Sequence, residues 1–187
     1  MKKFELTTET KINICGKKLF RIKALISFGL IIAGEKGGWI EKEENLSQYG
    51  NAWVFGNAEV YDNACVRGNA EVYDNACVRD NAYVHGNACV CDNAYIAGNA
   101  YVSGNAEVSG NACVCDNADY TTIHGFGTHF RTTTFFRCKD KEIKVTCGCF
   151  FGTISEFRDQ VKRTRKGKVA EEYLMIADLM EKHFKEE

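Results

Sequence analysis

The dipeptide Asn-Ala recurs every six residues, at 51, 57, 63, 69, 75, 81, 87, 93, 99, 105, 111 and 117. Each unit reads Asn-Ala-x-Val-x-Gly/Asp, and only Ile96 and Tyr120 depart at the Val place. Helical solenoids have repeats several times longer, so this period excludes them. It demands a chain that runs straight for a few residues and turns a corner every six. In an extended segment, residues two apart share a face. Ala and Val of each unit therefore point together into a core, and the residues between and after them point out. Gly/Asp-Asn supplies the corner, because these residues tolerate positive φ at low cost.

A small residue two places before an aliphatic one, repeated in sixes, resembles the left-handed parallel β-helix (hexapeptide-repeat) family. The resemblance covers residues 45–122, including a degenerate first hexad, "NLSQYG". It implies a mainly β protein in which three hexads make one triangular coil of eighteen residues. About four coils then stack at ~4.8 Å spacing. In the family, Gly often follows the aliphatic residue directly; here Gly or Asp comes one place later, which leaves the corner geometry open.

Sorting outward residues by the eighteen-residue period gives three walls. The first carries Trp53, Phe55, Glu71, Tyr73, Cys89 and Cys91. The second carries Glu59, Tyr61, Cys77, Arg79, Tyr95, Cys113 and Cys115. The third carries Cys65, Arg67, Tyr83, His85 and Tyr101. One corner is Gly in every coil (Gly50, Gly68, Gly86, Gly104), which points to a close neighbour there. Tyr83 and Tyr101, with Tyr95 nearby, make a docking surface for a foreign partner or a second copy. Cysteines two apart on one strand face, Cys89 with Cys91 and Cys113 with Cys115, sit about 6.5–7 Å apart, too far for a relaxed disulfide.

Composition narrows the function classes. A net charge of −1 gives no global footprint for nucleic acid. Ten cysteines in a short secreted chain would mean a disulfide scaffold, but "MKKFELTTETK" lacks an apolar leader core. The apolar run at 24–34 is far below the ~20 residues of a membrane span. The expectation is a reduced, cytoplasmic protein with no membrane contact. Proline is absent, which suits an uninterrupted repeat.

Three segments follow. Residues 1–44 form an N-terminal β cap, with two short strands around Gly16; residues 45–122 form the β-helix; residues 123–187 form a hairpin and a two-helix tail. "TTTFFRC" and "EIKVTC" bracket the hairpin turn "KDK". A two-residue loop there would set Cys138 against Ile143 and Cys147 against Thr134. Thr153 with Glu156 is a capping box, so a helix follows to about Arg165. A second, from about Lys168 to Phe184, carries Tyr173, Ile176, Met180 and Phe184 on one stripe, which needs cover from the last coil or from a sister subunit in a homodimer. Residues 158–168 concentrate positive charge (Arg158, Lys162, Arg163, Arg165, Lys166) that could meet phosphates. "HGFGTHF" offers His124, Phe126 and His129 as a recognition loop or a glycine-hinged exit from the helix.

The flanks resemble phage and prophage Asn-Ala hexad proteins of gut Firmicutes, through "KLFRIKALISFG", "AGEKGGWIEKEENLS" and "VTCGCFFGTISEFRDQV". That resemblance implies a phage or mobile-element origin. Hexapeptide-repeat acyltransferases, which this core also resembles, use a His as general base near a groove between subunits. His85 alone lies in the repeat, and no loop interrupts it from Asn51 to Asn117. His85, His124 and His129 lack metal-like spacing, and Cys138, Cys147 and Cys149 fall short of a closed zinc set. The expectation is a non-enzymatic interaction protein with no cofactor and no metal. Its partner would be a host protein or ribonucleoprotein, and in the most concrete version it inhibits a bacterial defence complex, as anti-CRISPR proteins do. A self-assembling phage protein is the structural alternative.

Overall fold

A computed structural model describes residues 2–185. It is a mainly β protein built on a parallel β-solenoid of about four coils. Two-residue strands stack in parallel register: Trp53–Val54, Glu71–Val72, Cys89–Val90 and Glu107–Val108 form the first wall. Glu59–Val60, Cys77–Val78, Tyr95–Ile96 and Cys113–Val114 form the second. Cys65–Val66, Tyr83–Val84 and Tyr101–Val102 form the third. Every second-place Ala and fourth-place Val/Ile of the hexads from Ala52 to Val114 is 0–1% exposed, so the interior is a column of methyl groups. Each buried Val contributes roughly 1.5–3 kcal/mol.

The corner lies at the sixth place of the hexad, where φ runs from 54° to 79° for Gly and Asp alike between Gly50 and Gly110. Asp serves there because its carboxylate bonds onward: Asp80 Oδ2 accepts from the Gly98 amide at 3.0 Å, and Asp92 Oδ2 from the Gly110 amide at 2.8 Å. The all-glycine corner has a steric cause. A Cβ on Gly50 would stand 2.4 Å from the Gly68 carbonyl oxygen, and one on Gly86 would stand 2.9 Å from that of Gly104. The Asn that opens each hexad has a second use. Asn69 Nδ2 donates to Asn87 Oδ1 at 3.0 Å, Asn87 to Asn105 at 3.0 Å, and Asn63 to Asn81 at 3.2 Å, so amide ladders climb the corners.

Both ends of the stack are closed by chemistry matched to what they expose. Amides at the third and fifth places donate to the Ala and Val carbonyls one coil on, as in Trp53 N to Ala70 O (3.0 Å) and Phe55 N to Val72 O (2.8 Å). The first coil therefore offers carbonyls without a preceding coil, and leaving them bare would be costly. Strand β1 (Phe4–Ile12) turns at Gly16 into β2 (Lys18–Ala24), which pairs with β3 (Lys36–Ile40). β3 runs parallel to Glu59–Val60, and its Trp39 and Glu41 amides reach Ala58 O and Val60 O. Asn45 Nδ2 donates to Ala64 O at 2.8 Å, and Lys3 Nζ to Ala52 O at 2.8 Å. At the far end the exposed groups are amides, met by oxygen: Tyr101 N by Asn117 Oδ1 (2.8 Å), Glu107 N by Thr134 Oγ1 (3.1 Å), and Cys115 N by Asp119 Oδ2 (2.9 Å).

Trp53, expected to face outward on the first wall, is fully buried beneath this N-terminal layer against Phe4 and Phe28. Lys3 lies beside it, 2% exposed, with its ammonium 4.9 Å from the Phe28 ring. Burial pushes the Lys3 ammonium down to about 8 from 10.5. Between those values the unfolded chain holds a proton the folded chain has shed, so this group's contribution to stability rises with pH across the window. Buried thiols act oppositely: burial raises Cys138 to about 11 from 9.0, so stability falls above pH 9 as the unfolded chain ionises first. The wild-type minus Lys3→Met difference cancels the thiols. It is expected to rise by ~3 kcal/mol between pH 7 and 10.5 in urea titrations; a flat difference would remove the buried-ammonium account.

After a 3-10 turn at Asn117–Asp119 the chain forms an antiparallel sheet, β4 (Tyr120–Phe126), β5 (Arg131–Arg137), β6 (Ile143–Cys147) and β7 (Phe150–Thr153). Strand alternation splits its faces. Phe136 and Cys138 join the solenoid core, whereas Phe135 and Val145 join a second core with helices α1 (Ile154–Thr164) and α2 (Gly167–His183). The Thr153–Glu156 capping box starts α1, with Glu156 Oε2 accepting from Thr153 N at 2.7 Å and Thr153 Oγ1 from Glu156 N at 3.1 Å. The hairpin register differs from the two-residue-loop expectation. Residues 138–142 make a longer turn with Lys141 at φ 67°, so Arg137 faces Ile143 and Cys147 faces Thr133.

Candidate functional site

Three outward regions gather the chemistry. On the third wall Tyr83 and Tyr101 stack with ring centroids 5.2 Å apart and planes 8° from parallel. His85 lies 5.9 Å from Tyr83, and the Arg67 guanidinium stands 5.6 Å over the same ring. The result is a ladder of flat groups, Arg67–Tyr83–Tyr101, with Tyr120 at its C-terminal end donating to Tyr101 O at 2.6 Å. Cys65 Sγ accepts from Arg67 Nε at 3.0 Å, which holds the guanidinium in place.

Tyr95 does not join this ladder. It faces the second wall, where Arg79 lies 5.0 Å over its ring and donates to its hydroxyl. That wall carries a cleft of about 490 Å³, lined among others by Lys11, Ile14, Cys15, Tyr61, Cys77, Arg79, Tyr95 and Lys139. The Tyr61 hydroxyl sits between Cys15 Sγ (3.6 Å) and Cys77 Sγ (3.5 Å). Burial pushes both Tyr61 and Cys77 upward, so this thiol stays protonated at neutral pH and is a poor nucleophile. All ten cysteines are free thiols, and those at Cys65 and Cys91 are buried rather than solvent-facing.

One geometric rule links these contacts. Arg67–Tyr83, Arg79–Tyr95, Tyr61–Cys77 and Tyr73–Cys89 (3.1 Å) are all sixteen residues apart. A side chain at the fifth place leans over the third place of the next coil. Comparing only residues eighteen apart misses this diagonal; reading i against i+16 would have found Arg67 and Arg79 as partners of the tyrosines.

The C-terminal body holds the remaining expected residues. His124 lies on β4, its Nδ1 3.2 Å from Thr132 Oγ1; the exposed Phe126 ends β4 and the exposed His129 sits in the β4–β5 turn, so "HGFGTHF" is a hairpin and not a free loop. Of the basic cluster, Arg158 is committed: it bonds Asp178 (2.8 Å) and Glu181 (2.7 Å) across the helix pair. Lys162, Arg163, Arg165 and Lys166 are exposed. Tyr173, Ile176, Met180 and Phe184 are 5–7% exposed within the chain's own second core. Sheet and first helix cover that stripe, so it calls for no sister subunit. The apolar residues α2 leaves outside are Met175 and Leu179.

Among the described residues no group of three or more His, Cys, Asp or Glu side chains is placed to hold a metal ion. No helix of the described chain is long and apolar enough to cross a membrane. Fold and surface together define a parallel β-solenoid closed at both ends, with a cation-aromatic ladder on one wall. No model of a known protein family matches the chain, and no curated protein matches it.

Proposed function

We propose that this protein acts by binding a macromolecular partner through its third wall. The observation that carries the reading is the Arg67–Tyr83–Tyr101 stack with His85 beside it. Aromatic and arginine side chains held rigid before contact lose little entropy on binding, and such residues dominate interface energies. The neighbouring walls lend the stack a stiff backing, because each tyrosine stands on a strand paired on the solenoid. The finer reading, an inhibitor of a bacterial defence complex encoded by a phage, rests on the resemblance of the flanks to phage and prophage hexad proteins. In that setting the partner is a host protein or ribonucleoprotein in the bacterial cytoplasm.

The test compares the tagged protein with a Tyr83→Ser/Tyr101→Ser variant. Each is used to capture partners from host lysate, with and without nuclease, and captured species are then reconstituted from purified components. A complex that survives gel filtration with the wild type and weakens by ~10-fold or more in the variant supports the reading. A partner retained equally by both, or none in any lysate tested, overturns it. Nuclease sensitivity separates a ribonucleoprotein from a protein.

A further inference from the structure

The second core encloses a feature that the third-wall reading does not use. Between β5, the β6–β7 turn, α1 and α2 lies a cavity of about 300 Å³, at the lower end of the range of ligand sites. Phe150, Phe151, Phe157 and Val161 make its apolar wall. Its polar rim holds Arg131, Arg165, Gln160, Thr164 and the Tyr173 hydroxyl, and no carboxylate lines it. Glu156 and Asp159 line a separate depression that also touches Phe150 and Phe151, and Glu156 is engaged in its capping box. Arg165 enters from the end of α1, where its amide still bonds Val161 O at 2.8 Å. Arg131 enters from β5 and lies across Gly148: a Cβ there would meet its guanidinium at 2.2 Å, so the turn keeps a glycine where the arginine crosses. Neither arginine has an ion-pair partner among the described residues, in contrast to Arg158, about two turns before Arg165 on α1. The Tyr173 hydroxyl lines the same cavity and donates to Phe126 O at 3.2 Å.

Two exposed guanidiniums without ion pairs beside an aromatic wall offer an anion two forks, and the charge selects which. A phosphate monoester carries about −1.5 to −2 at neutral pH and offers oxygens for two arginine forks; a carboxylate carries one charge. The phenyl walls favour a planar ring behind the phosphate. We propose that this cavity binds a phosphate monoester of a molecule that carries an aromatic ring, either a mononucleotide, whose phosphate sits on the sugar that bears the base, or an aryl phosphate, with Arg131 and Arg165 on the phosphate and Phe150, Phe151 and Phe157 against the ring.

Calorimetric titration of the full chain with phenyl phosphate, the nucleoside 5′-monophosphates, benzoate and inorganic phosphate tests this. At least one ring-bearing phosphate is expected to bind once per chain, with benzoate and inorganic phosphate at least ~10-fold weaker. Arg131→Gln and Arg165→Gln are each expected to lower that affinity by ~10-fold or more without moving the melting temperature, while Lys182→Gln on the outer face of α2 leaves it unchanged. A nucleotide that binds more tightly than phenyl phosphate assigns the ring to a base; the reverse order assigns it to an aryl group. No saturable binding of any ring phosphate at millimolar concentration overturns the proposal. So does equal binding of inorganic phosphate, or full affinity in both arginine variants.

Discussion

Gly50→Ala is expected to destabilise the protein by roughly 3–4 kcal/mol, while Gly104→Ala, on the same corner, costs only ~1–2 kcal/mol. The two positions share a φ of 71°, so the strain of a left-handed alanine is common to both. They differ in what lies beyond them. The new methyl at position 50 would meet a backbone carbonyl of the next coil at 2.4 Å, whereas nothing stands within 4 Å at position 104. The backbone there is fixed by the Asn51 and Ala52 amides, each 2.8 Å from that same carbonyl, so it cannot yield without breaking those bonds. Urea denaturation of the two variants reads the difference directly. Equal losses would mean that conformational strain alone, and not coil-to-coil closeness, keeps this corner glycine.

Trp53→Ala is expected to cost ~3–5 kcal/mol and to make the protein aggregate as concentration rises. The indole is the largest fully buried side chain, and it joins the first coil to the N-terminal layer through Phe4 and Phe28. Removing it loosens the layer that supplies donors to the first coil's carbonyls, and bare strand edges recruit other chains. Trp53→Phe makes a sharper comparison. The indole Nε1 has no hydrogen-bond partner among the described residues, and a buried orphan donor costs ~1–3 kcal/mol. Losing that donor offsets part of the lost volume, so the Phe variant is expected within ~1 kcal/mol of wild type. Thermal melts with light scattering distinguish the outcomes; an Ala variant that melts as wild type does would show that Trp53 is not the joint.

The sequence announces the solenoid because the repeat makes the same physical demand at every turn: methyls inward at the second and fourth places, positive φ at the sixth. Position 50 is legible for the same reason, since its glycine column repeats at eighteen. Trp53 is not. Its place in the hexad says outward, and only tertiary cover from a segment some fifty residues earlier buries it. Lys3 is hidden likewise, because nothing local marks a lysine at the start of a strand as the donor for Ala52. The contact between Arg79 and Tyr95 is not legible in the eighteen-residue period, because side chains lean along a diagonal of sixteen. Arg131 carries no motif at all, and its pairing with Arg165 arises from the sheet-helix packing of the C-terminal body.

The cleft on the second wall has lips from either side of the solenoid in the chain, Ile14 and Cys15 from the first hairpin and Lys139 from the β5–β6 turn. Those lips face one another only at this count of hexads. Each inserted hexad advances the stack by a third of a coil, so it would swing everything downstream a third of the way around the axis; only a full eighteen residues restores the alignment while lengthening the prism by one strand spacing. The identical stretches 57–67 and 69–79 are offset by twelve residues, two-thirds of a coil. An in-register copying event of that size would act as a rotary index, turning the terminal bodies past one another by fixed steps without disturbing a single core methyl. Such a chain can try new pairings of its two ends as a combination lock does, one click per hexad.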